Sequence, residues 1–159
     1  MPEELAGRFV SESAIHDQTA IVFPDDLNAA GSLFGGRVLE MADRVAAVVA
    51  HRHTRRHCVT LALDSVRFHA PARRGDILVF KSAVNRSWRT SMEVGVKVFV
   101  EDYRTVQRKH IFSAYFTFVA VDDQMKPVEI PPVIPQSEDE RRRYIEAEKR
   151  RSRRLQSLR

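Results

Sequence analysis

Asp43 is the side chain best placed in this sequence to act as a general base or a nucleophile. It lies in a run of helix-forming residues, where helical spacing puts Leu39 and Ala46 beside it. A carboxylate on such an apolar flank is poorly hydrated, and desolvation makes it a stronger base. The alternative is an ordinary surface acid that Arg44 or Arg37 keeps solvated at the helix rim.

Two glycines, Gly35 and Gly36, immediately precede that helix. Backbone N–H groups in the first turn of a helix have no intrahelical acceptor, and the helix dipole adds partial positive charge there. Such donors can stabilise a carbonyl oxygen that gains negative charge, and glycines let a substrate approach the backbone closely. The alternative is a plain loop that ends in glycines. A phosphate-binding loop fits less well, because no Lys-Ser or Lys-Thr follows the pair.

Asn28 lies in the turn before the glycines, and its amide offers a donor and an acceptor that could orient a water molecule or a carbonyl group. Turns favour Asn for local reasons, so a structural role is the alternative. The spacing of His51 and His53 argues against a metal site, since the two do not share a helical face. Cys58 is expected to be a small core residue at the start of a strand. We therefore predict no metal and no cofactor.

One helix and five strands are predicted around these residues. A strand at residues 18–23 and a turn-rich stretch precede a helix at residues 37–52, whose apolar positions recur at i, i+4 and i+7. Four more strand patterns, separated by turn signals, lie at residues 59–68, 77–84, 92–100 and 111–121. A single sheet covers a helix that is apolar over much of its circumference only if the sheet curves. We therefore predict an α+β domain in which an antiparallel sheet of about five strands wraps one long helix.

Four prolines between Lys126 and Gln136 separate this core from a charged segment. We therefore divide the chain into a domain at residues 1–136 and a tail at residues 137–159. Ser137 and Glu140 have the spacing of a capping box, which predicts a helical tail. The tail has nine Lys or Arg and five Asp or Glu, so it carries four of the five net positive charges of the chain.

The composition excludes several classes of function. A chain of 159 residues that is 43% hydrophobic and 30% charged forms one packed domain and is not disordered. Its longest apolar run, residues 45–50, is far shorter than the roughly 20 residues that span a bilayer. Because the N-terminus is acidic and unlike a targeting signal, we expect a cytoplasmic protein with no membrane partner. Acids interleave with the bases of the tail, so we expect no nucleic-acid partner either.

Seven separated motifs occur in a characteristic order along the chain, at residues 26–43, 50–53, 59–60, 68–71, 75–76, 90–92 and 116–120. Together they strongly resemble the hotdog-fold acyl-CoA thioesterases, in the single-hotdog form of the long-chain acyl-CoA hydrolase type. The resemblance runs from about Thr19 to the charged tail. It implies the hotdog fold, in which an antiparallel sheet wraps a long helix. It also implies pairing of two protomers through a continuous sheet, with three such dimers commonly forming a hexamer.

The resemblance further implies hydrolysis of fatty acyl-CoA to fatty acid and CoA at the dimer interface. Asp43 would be the catalytic carboxylate of one protomer and Asn28 its partner from the other. The N–H of Gly36 would polarise the thioester carbonyl. Two roles stay open for the carboxylate, which either activates water or attacks the carbonyl to form an acyl-enzyme anhydride.

The substrate site is expected to include Gly35, Phe34 and Ser91. Arg67 and Arg89 are expected to bind the phosphates of CoA, with Arg86 as a third candidate. The sequence departs from the family pattern in the same region. Trp88 and Arg89 stand where members of the family often have a Gly before the Thr-Ser pair. Contacts with the coenzyme are therefore expected to differ there.

Three other functions are alternatives to hydrolysis. A hydratase on the same fold would place a His beside an acid, and no His lies near Asp43 in the motif. A non-catalytic acyl-CoA sensor would need neither Asn28 nor Asp43. Nucleic-acid binding through the tail would weaken steeply with salt.

Overall fold

The computed structural model describes residues 5–159, and helix α1, Gly35–Thr54, lies at its centre. The helix is slightly longer at both ends than the pattern predicts. Its fully buried apolar residues follow the predicted stripes: Val38, Ala42, Val45, Ala46, Val49 and Ala50. The helix ends at Arg55, whose left-handed backbone (φ 55°) lets its N–H donate to the carbonyl oxygen of His51 at 2.8 Å.

Five antiparallel strands wrap this helix in the order β2-β4-β5-β6-β3, which confirms the predicted fold class. Their bounds are β2 Ile15–Ile21, β3 His57–Phe68, β4 Ile77–Ser87, β5 Ser91–Glu101 and β6 Arg108–Val121. The face of the sheet toward α1, called the inner face below, supplies most of the large core side chains. They include Phe80, Met92, Phe112, Phe116 and Phe118. The opposite face is called the outer face.

All five strands differ from their predicted bounds, by one to three residues at an end. Strand β2 starts at Ile15 and stops at Ile21, because the N–H of Val22 donates to the carbonyl oxygen of Asp76 and the chain then enters a 3₁₀ turn at Pro24–Asp26. Strand β4 continues to Ser87, beyond the predicted end at residue 84, through a bulge after Val84. A bulge inserts one residue and breaks the alternation on which the prediction depended.

The two edges of the sheet are β2 and β3. Within residues 5–159, β3 pairs on one side only, with β6. Its apolar side chains Leu61 and Leu63 are 67% and 40% exposed. An unpaired, apolar edge strand of 12 residues is a ready surface for a second chain.

A small parallel pair, β1 (Arg8–Phe9) with β7 (Val133–Ile134), lies outside the main sheet and was not predicted. It joins the start of the described chain to the proline-rich segment. Arg8 also donates to the carbonyl oxygen of His53 at 2.8 Å, so the pair is fixed to the end of α1.

Helix α2, Glu138–Ser157, lies across the outer face, where its residue Ala147 is fully buried. Its N-terminus has the predicted capping box. The N–H of Glu140 donates to Ser137 Oγ at 3.1 Å, and the Glu140 carboxylate accepts from the Ser137 N–H at 3.3 Å. The division of the chain at residue 137 stays a prediction. Neither α1 nor α2 has an apolar stretch long enough to cross a membrane in the part of the chain that the structure describes.

Candidate active site

Asp43 lies on the third turn of α1 and is half-buried in the single chain. Its Oδ1 accepts a hydrogen bond of 2.7 Å from Thr60 Oγ1. Thr60 stands opposite the core residue Phe118 in the β3–β6 pairing, and its side chain points from the inner face of the sheet toward the helix. The hydroxyl therefore holds one carboxylate oxygen in place and leaves the other free to act.

Thr60 is the site residue that the sequence analysis missed. It belongs to the 59–60 motif, where no role was assigned to it. Its contact with Asp43 joins residues 17 positions apart on a helix and a strand. Only the register of the sheet against the helix brings the two side chains together.

Gly35 and Gly36 form the first turn of α1, and Phe34 is the N-cap without a side-chain capping bond. No acceptor within residues 5–159 takes the N–H of either glycine. Aromatic rings lie close to both glycines. A Cβ on Gly36 would lie 2.7 Å from a ring carbon of Phe34, and one on Gly35 would lie 3.2 Å from a ring carbon of Phe68. The helix therefore presents open backbone donors between two rings.

Asn28 is exposed and closes the turn before the helix. Its Oδ1 accepts from the N–H groups of Ala30 and Ser32 at 2.9 and 3.1 Å. Its Nδ2 donates to Ser32 Oγ at 3.0 Å, and the other N–H of the amide has no acceptor in the described chain. Asn28 thus has the structural role that turns favour, and it also keeps one free amide donor.

Gly36 and Asp43 lie seven residues apart on one flank of α1, which corresponds to about 10 Å along the helix axis. Reacting groups must approach one another to about 3 Å. Within one chain, the backbone donor and the carboxylate are therefore too far apart to act on the same thioester.

A cavity of about 360 Å³ adjoins the N-terminus of α1. Its walls are mostly apolar and include Leu33, Gly35, Val38, Phe68 and Phe112. An apolar cleft beside open N–H donors is suited to an apolar chain that carries a polar carbonyl group at its end.

The other predicted substrate residues are spread over the sheet. Arg67 is exposed and has no ion-pair partner within residues 5–159. The Arg89 side chain is 78% exposed and lies 3.7 Å from the Glu129 carboxylate. Ser91 stands opposite Val119 on β6.

Helix α2 contacts Arg86, the third arginine considered for CoA, and Trp88, which departs from the family pattern. The Arg86 guanidinium lies 3.2 Å from Glu148 and 4.0 Å from the ring centre of Tyr144. The indole N–H of Trp88 donates to Glu148 at 2.8 Å. The turn between β4 and β5 is therefore anchored to α2, which accounts for a Trp at this position.

The histidines and the cysteine near the end of α1 have structural surroundings. His53 is buried, its Nε2 lies 2.8 Å from the carbonyl oxygen of Pro131, and burial lowers the pKa of its imidazole. Cys58 is buried as predicted, and burial raises the pKa of its thiol. Within residues 5–159, no three His, Cys, Asp or Glu side chains are grouped as metal ligands would be.

Comparisons with known proteins identify the family. Residues 30–107 match the thioesterase superfamily. An uncharacterized acyl-CoA thioester hydrolase of Bacillus subtilis, YkhA, is 41% identical over 133 residues, which cover 84% of this chain and 77% of that protein. The chain belongs to the thioesterase superfamily.

Two solved structures of this superfamily are similar over almost their whole length. A hexameric acyl-CoA thioesterase without ligand superposes with a TM-score of 0.92 at 38% identity, covering 97% of this chain and 98% of that one. An acyl-CoA hydrolase from Staphylococcus aureus, in complex with butyryl-CoA, CoA and CoA disulfide, superposes with a TM-score of 0.86 at 35% identity. That match covers 95% of this chain and 94% of the other. The resemblance to hotdog-fold acyl-CoA thioesterases is thereby confirmed.

Proposed function

We propose that this thioesterase superfamily member hydrolyses fatty acyl-CoA to the free fatty acid and CoA. The main observation in support is the hydrogen bond of 2.7 Å from Thr60 to Asp43. It fixes the orientation of a half-buried carboxylate on α1. The open N–H groups of Gly35 and Gly36 and the adjoining apolar cavity support the same reaction. The similar proteins, an acyl-CoA thioester hydrolase, an acyl-CoA thioesterase and an acyl-CoA hydrolase, support the substrate class.

Each active site is built from two protomers in this proposal. Asp43 and Gly36 of one chain lie about 10 Å apart, so a second helix N-terminus must supply the donor that works with Asp43. The unpaired edge of β3 supports an assembly in which two sheets join. Asp43 then acts with Gly36 of the partner subunit and Asn28 of the partner subunit. Three such dimers would form a hexamer, the state that the name of one similar structure gives for that protein.

The chemistry follows from these groups. The thioester carbonyl oxygen accepts a hydrogen bond from the Gly36 N–H, which contributes about 3 kcal/mol to stabilising the developing oxyanion. In the general-base route Asp43 takes a proton from water, and the oxygen of that water attacks the carbonyl carbon. In the nucleophilic route the carboxylate itself attacks, and water then hydrolyses the anhydride. In both routes the C–S bond breaks and the CoA thiolate leaves, to be protonated by solvent.

The substrate lies along the cleft at the start of α1. The acyl chain enters the cavity lined by Leu33, Val38 and Phe68, beside Phe34. Ser91, Arg67 and Arg89 stay candidates for contacts with CoA. The domain division and the cytoplasmic location also stay predictions.

Release of free thiol from a panel of acyl-CoAs tests the proposal. We expect Asp43→Asn to reduce kcat by about 100-fold or more, because the amide accepts no proton and is a poor nucleophile. Asp123→Asn, which changes an exposed acid in the turn after β6, is the matched control and should retain wild-type activity. A wild-type protein that binds CoA but releases no thiol would instead be a sensor, and that result overturns the proposal.

A further inference from the structure

One buried residue, Asp26, joins the turn of Asn28 to the start of α1. Its Oδ2 accepts a hydrogen bond from the Phe23 N–H at 2.9 Å, and its Oδ1 accepts one from Arg37 Nε at 2.8 Å. Its backbone carbonyl oxygen also accepts from the N–H of Phe34 at 2.8 Å. Asp26 therefore contacts the residue before the 3₁₀ turn, the N-cap of α1 and the first turn of that helix.

Hydrogen bonds within the turn fix its shape but not its orientation relative to α1. The N–H of Asn28 donates to the carbonyl oxygen of Ser32 at 2.8 Å, and Leu27 and Leu33 form a β-bridge. Within residues 5–159, one side-chain hydrogen bond joins residues 24–33 to α1, and it is the one from Arg37 to Asp26. The orientation of the Asn28 amide relative to the helix therefore depends on this pair.

Arg37 directly follows Gly36, and its guanidinium has two carboxylate partners. Besides Asp26, its Nη1 contacts Glu40 at 2.9 Å, three residues further along α1. Within residues 5–159, Arg37 forms no ion pair with Asp43. The side chain thus connects the first turn of the helix to the preceding turn on one side and to the helix itself on the other.

The bond between Asp26 and Arg37 is a rigid connection. The Asp26 side chain is 8% exposed, which shields the bond from solvent. The hydrogen bond from the Phe23 N–H lowers the pKa of Asp26 more than burial raises it, and Arg37 lowers it further. The carboxylate is therefore ionised at neutral pH. Hydrogen bonds between ionised groups are short and strong, and the donors of a guanidinium group are fixed in one plane.

We infer that Asp26 and Arg37 are positioning residues, which hold the Asn28 amide at a fixed place relative to the Gly36 N–H. The inference rests on the proposed function, in which Asn28 and Gly36 of one protomer act on the same thioester. A displacement of about 1 Å in such a group can reduce the rate by about 100-fold. Neither Asp26 nor Arg37 touches the substrate in this arrangement.

Thiol release by variants of Arg37 and Glu40 separates the two arms of the arginine. Arg37→Met removes both contacts and should lower kcat about 10-fold with little change in KM, because binding groups remain and their alignment is lost. Glu40→Gln changes only the arm within α1 and should keep the wild-type kcat. Arg37→Lys should restore most of the loss, because an ammonium group can still donate to Asp26. A wild-type kcat in Arg37→Met, or an equal loss in Glu40→Gln, overturns the inference.

A double variant distinguishes positioning from stability. Arg37→Met leaves the Asp26 carboxylate buried without its charged partner, so its Tm should fall. Asp26→Asn/Arg37→Met removes that charge and should recover most of the Tm, while kcat stays as low as in Arg37→Met. Recovery of kcat together with the Tm would mean that the pair only stabilises the fold, which also overturns the inference.

Amide hydrogen exchange tests the connection without any substrate. The N–H groups of Asn28, Ser32 and Phe34, which are hydrogen-bonded in the turn, should exchange faster in Arg37→Met than in the wild type. They should exchange at the wild-type rate in Glu40→Gln, and strands β4 and β5 should be unchanged in both variants. Unchanged exchange of the turn in Arg37→Met contradicts the inference.

The exchange experiment also separates this inference from the proposed hydrolysis. If the wild type releases no thiol but the turn exchanges faster in Arg37→Met, the proposed function fails and the pair is still the connection between the turn and the helix. If the wild type is active and neither exchange nor kcat responds to Arg37→Met, the proposed function stands and the inference is rejected.

Discussion

Arg150 of helix α2 inserts its guanidinium against the carboxylate of Glu93 on β5. Nη2 lies 2.7 Å from one carboxylate oxygen and Nε lies 3.0 Å from the other, while Glu93 itself has 0% exposure. Asn85 Nδ2 donates to the same carboxylate at 2.9 Å. The guanidinium also lies 3.6 Å from the ring centre of Tyr115. Helix α2, which the sequence predicts only as a charged tail, therefore supplies the counterion of the buried Glu93 carboxylate.

Removing that counterion should destabilise the fold. We expect Arg150→Met to lower the free energy of unfolding in urea by about 3 to 5 kcal/mol, because Glu93 stays buried without its charged partner. Arg153→Met, at an exposed position of the same helix, is the control and should change stability by less than about 0.5 kcal/mol. The double variant Glu93→Gln/Arg150→Met should recover much of the loss. If the single and double variants were equally unstable, the buried charge would not be the cause.

Local features of this chain were predictable from the sequence. The buried stripes of α1 follow from helical periodicity, and the capping box at Ser137 follows from a spacing of three residues. Both depend on interactions within one turn or one face of a helix. The order of the motifs identified the family, and the resemblance is the source of the proposed site around Asp43.

Contacts between distant segments were not predictable in the same way. The pair Glu93–Arg150 joins residues 57 positions apart, and Trp88–Glu148 joins residues 60 apart. The pairing of Thr60 with Asp43 depends on how β3 lies against α1. The bulge in β4 shifts the register after Val84, so alternation could not locate the end of that strand.

The hydroxyl of Thr60 should be a positioning group for Asp43. Thr60→Val keeps the shape of the side chain and removes the hydrogen bond of 2.7 Å. We expect kcat to fall by about 10-fold, the equivalent of one hydrogen bond to a charged group, with little change in KM. Thr60→Ser keeps the hydroxyl and should restore most of the activity in a thiol-release assay. Equal loss in both variants would mean that packing, and not the hydrogen bond, is responsible.

The stability of the protein should decrease in mild acid because of His53. Burial lowers the pKa of its imidazole in the fold, from the ordinary value of 6.5. As the pH falls, His53 therefore takes up a proton in the unfolded chain before it does so in the folded protein. The stability that neutral, buried His53 contributes is fully present above pH 6.5 and is lost as the pH falls through the lower pKa of the folded protein. Glu12 and Arg8 lie near enough to influence this titration in opposite directions.

Thermal unfolding at pH 7.5 and at pH 5.5 measures this effect. We expect the Tm of the wild type to fall more between the two values than that of His53→Gln, which has no proton to gain. His16→Gln, at an exposed position, serves as the control and should follow the wild type. The pKa of His110 is also lowered by burial, so some loss should persist in His53→Gln. An equal Tm change in the wild type and His53→Gln would exclude His53 as the source.

Complementation between two inactive chains tests whether each active site is shared. Asp43→Asn lacks the carboxylate and Asn28→Ala lacks the amide, so each variant alone should have little activity. If the two groups come from different protomers, co-expression with separate affinity tags produces mixed dimers in which one of the two sites is intact. Random pairing makes about half of the dimers mixed, so the pooled protein should regain about a quarter of the wild-type activity. In a hexamer of three randomly paired dimers, purification through both tags removes only the hexamers built from one variant and leaves the expected recovery at about a quarter. Activity that stays at the level of the single variants in the doubly purified protein would place Asp43 and Asn28 in the same protomer's site.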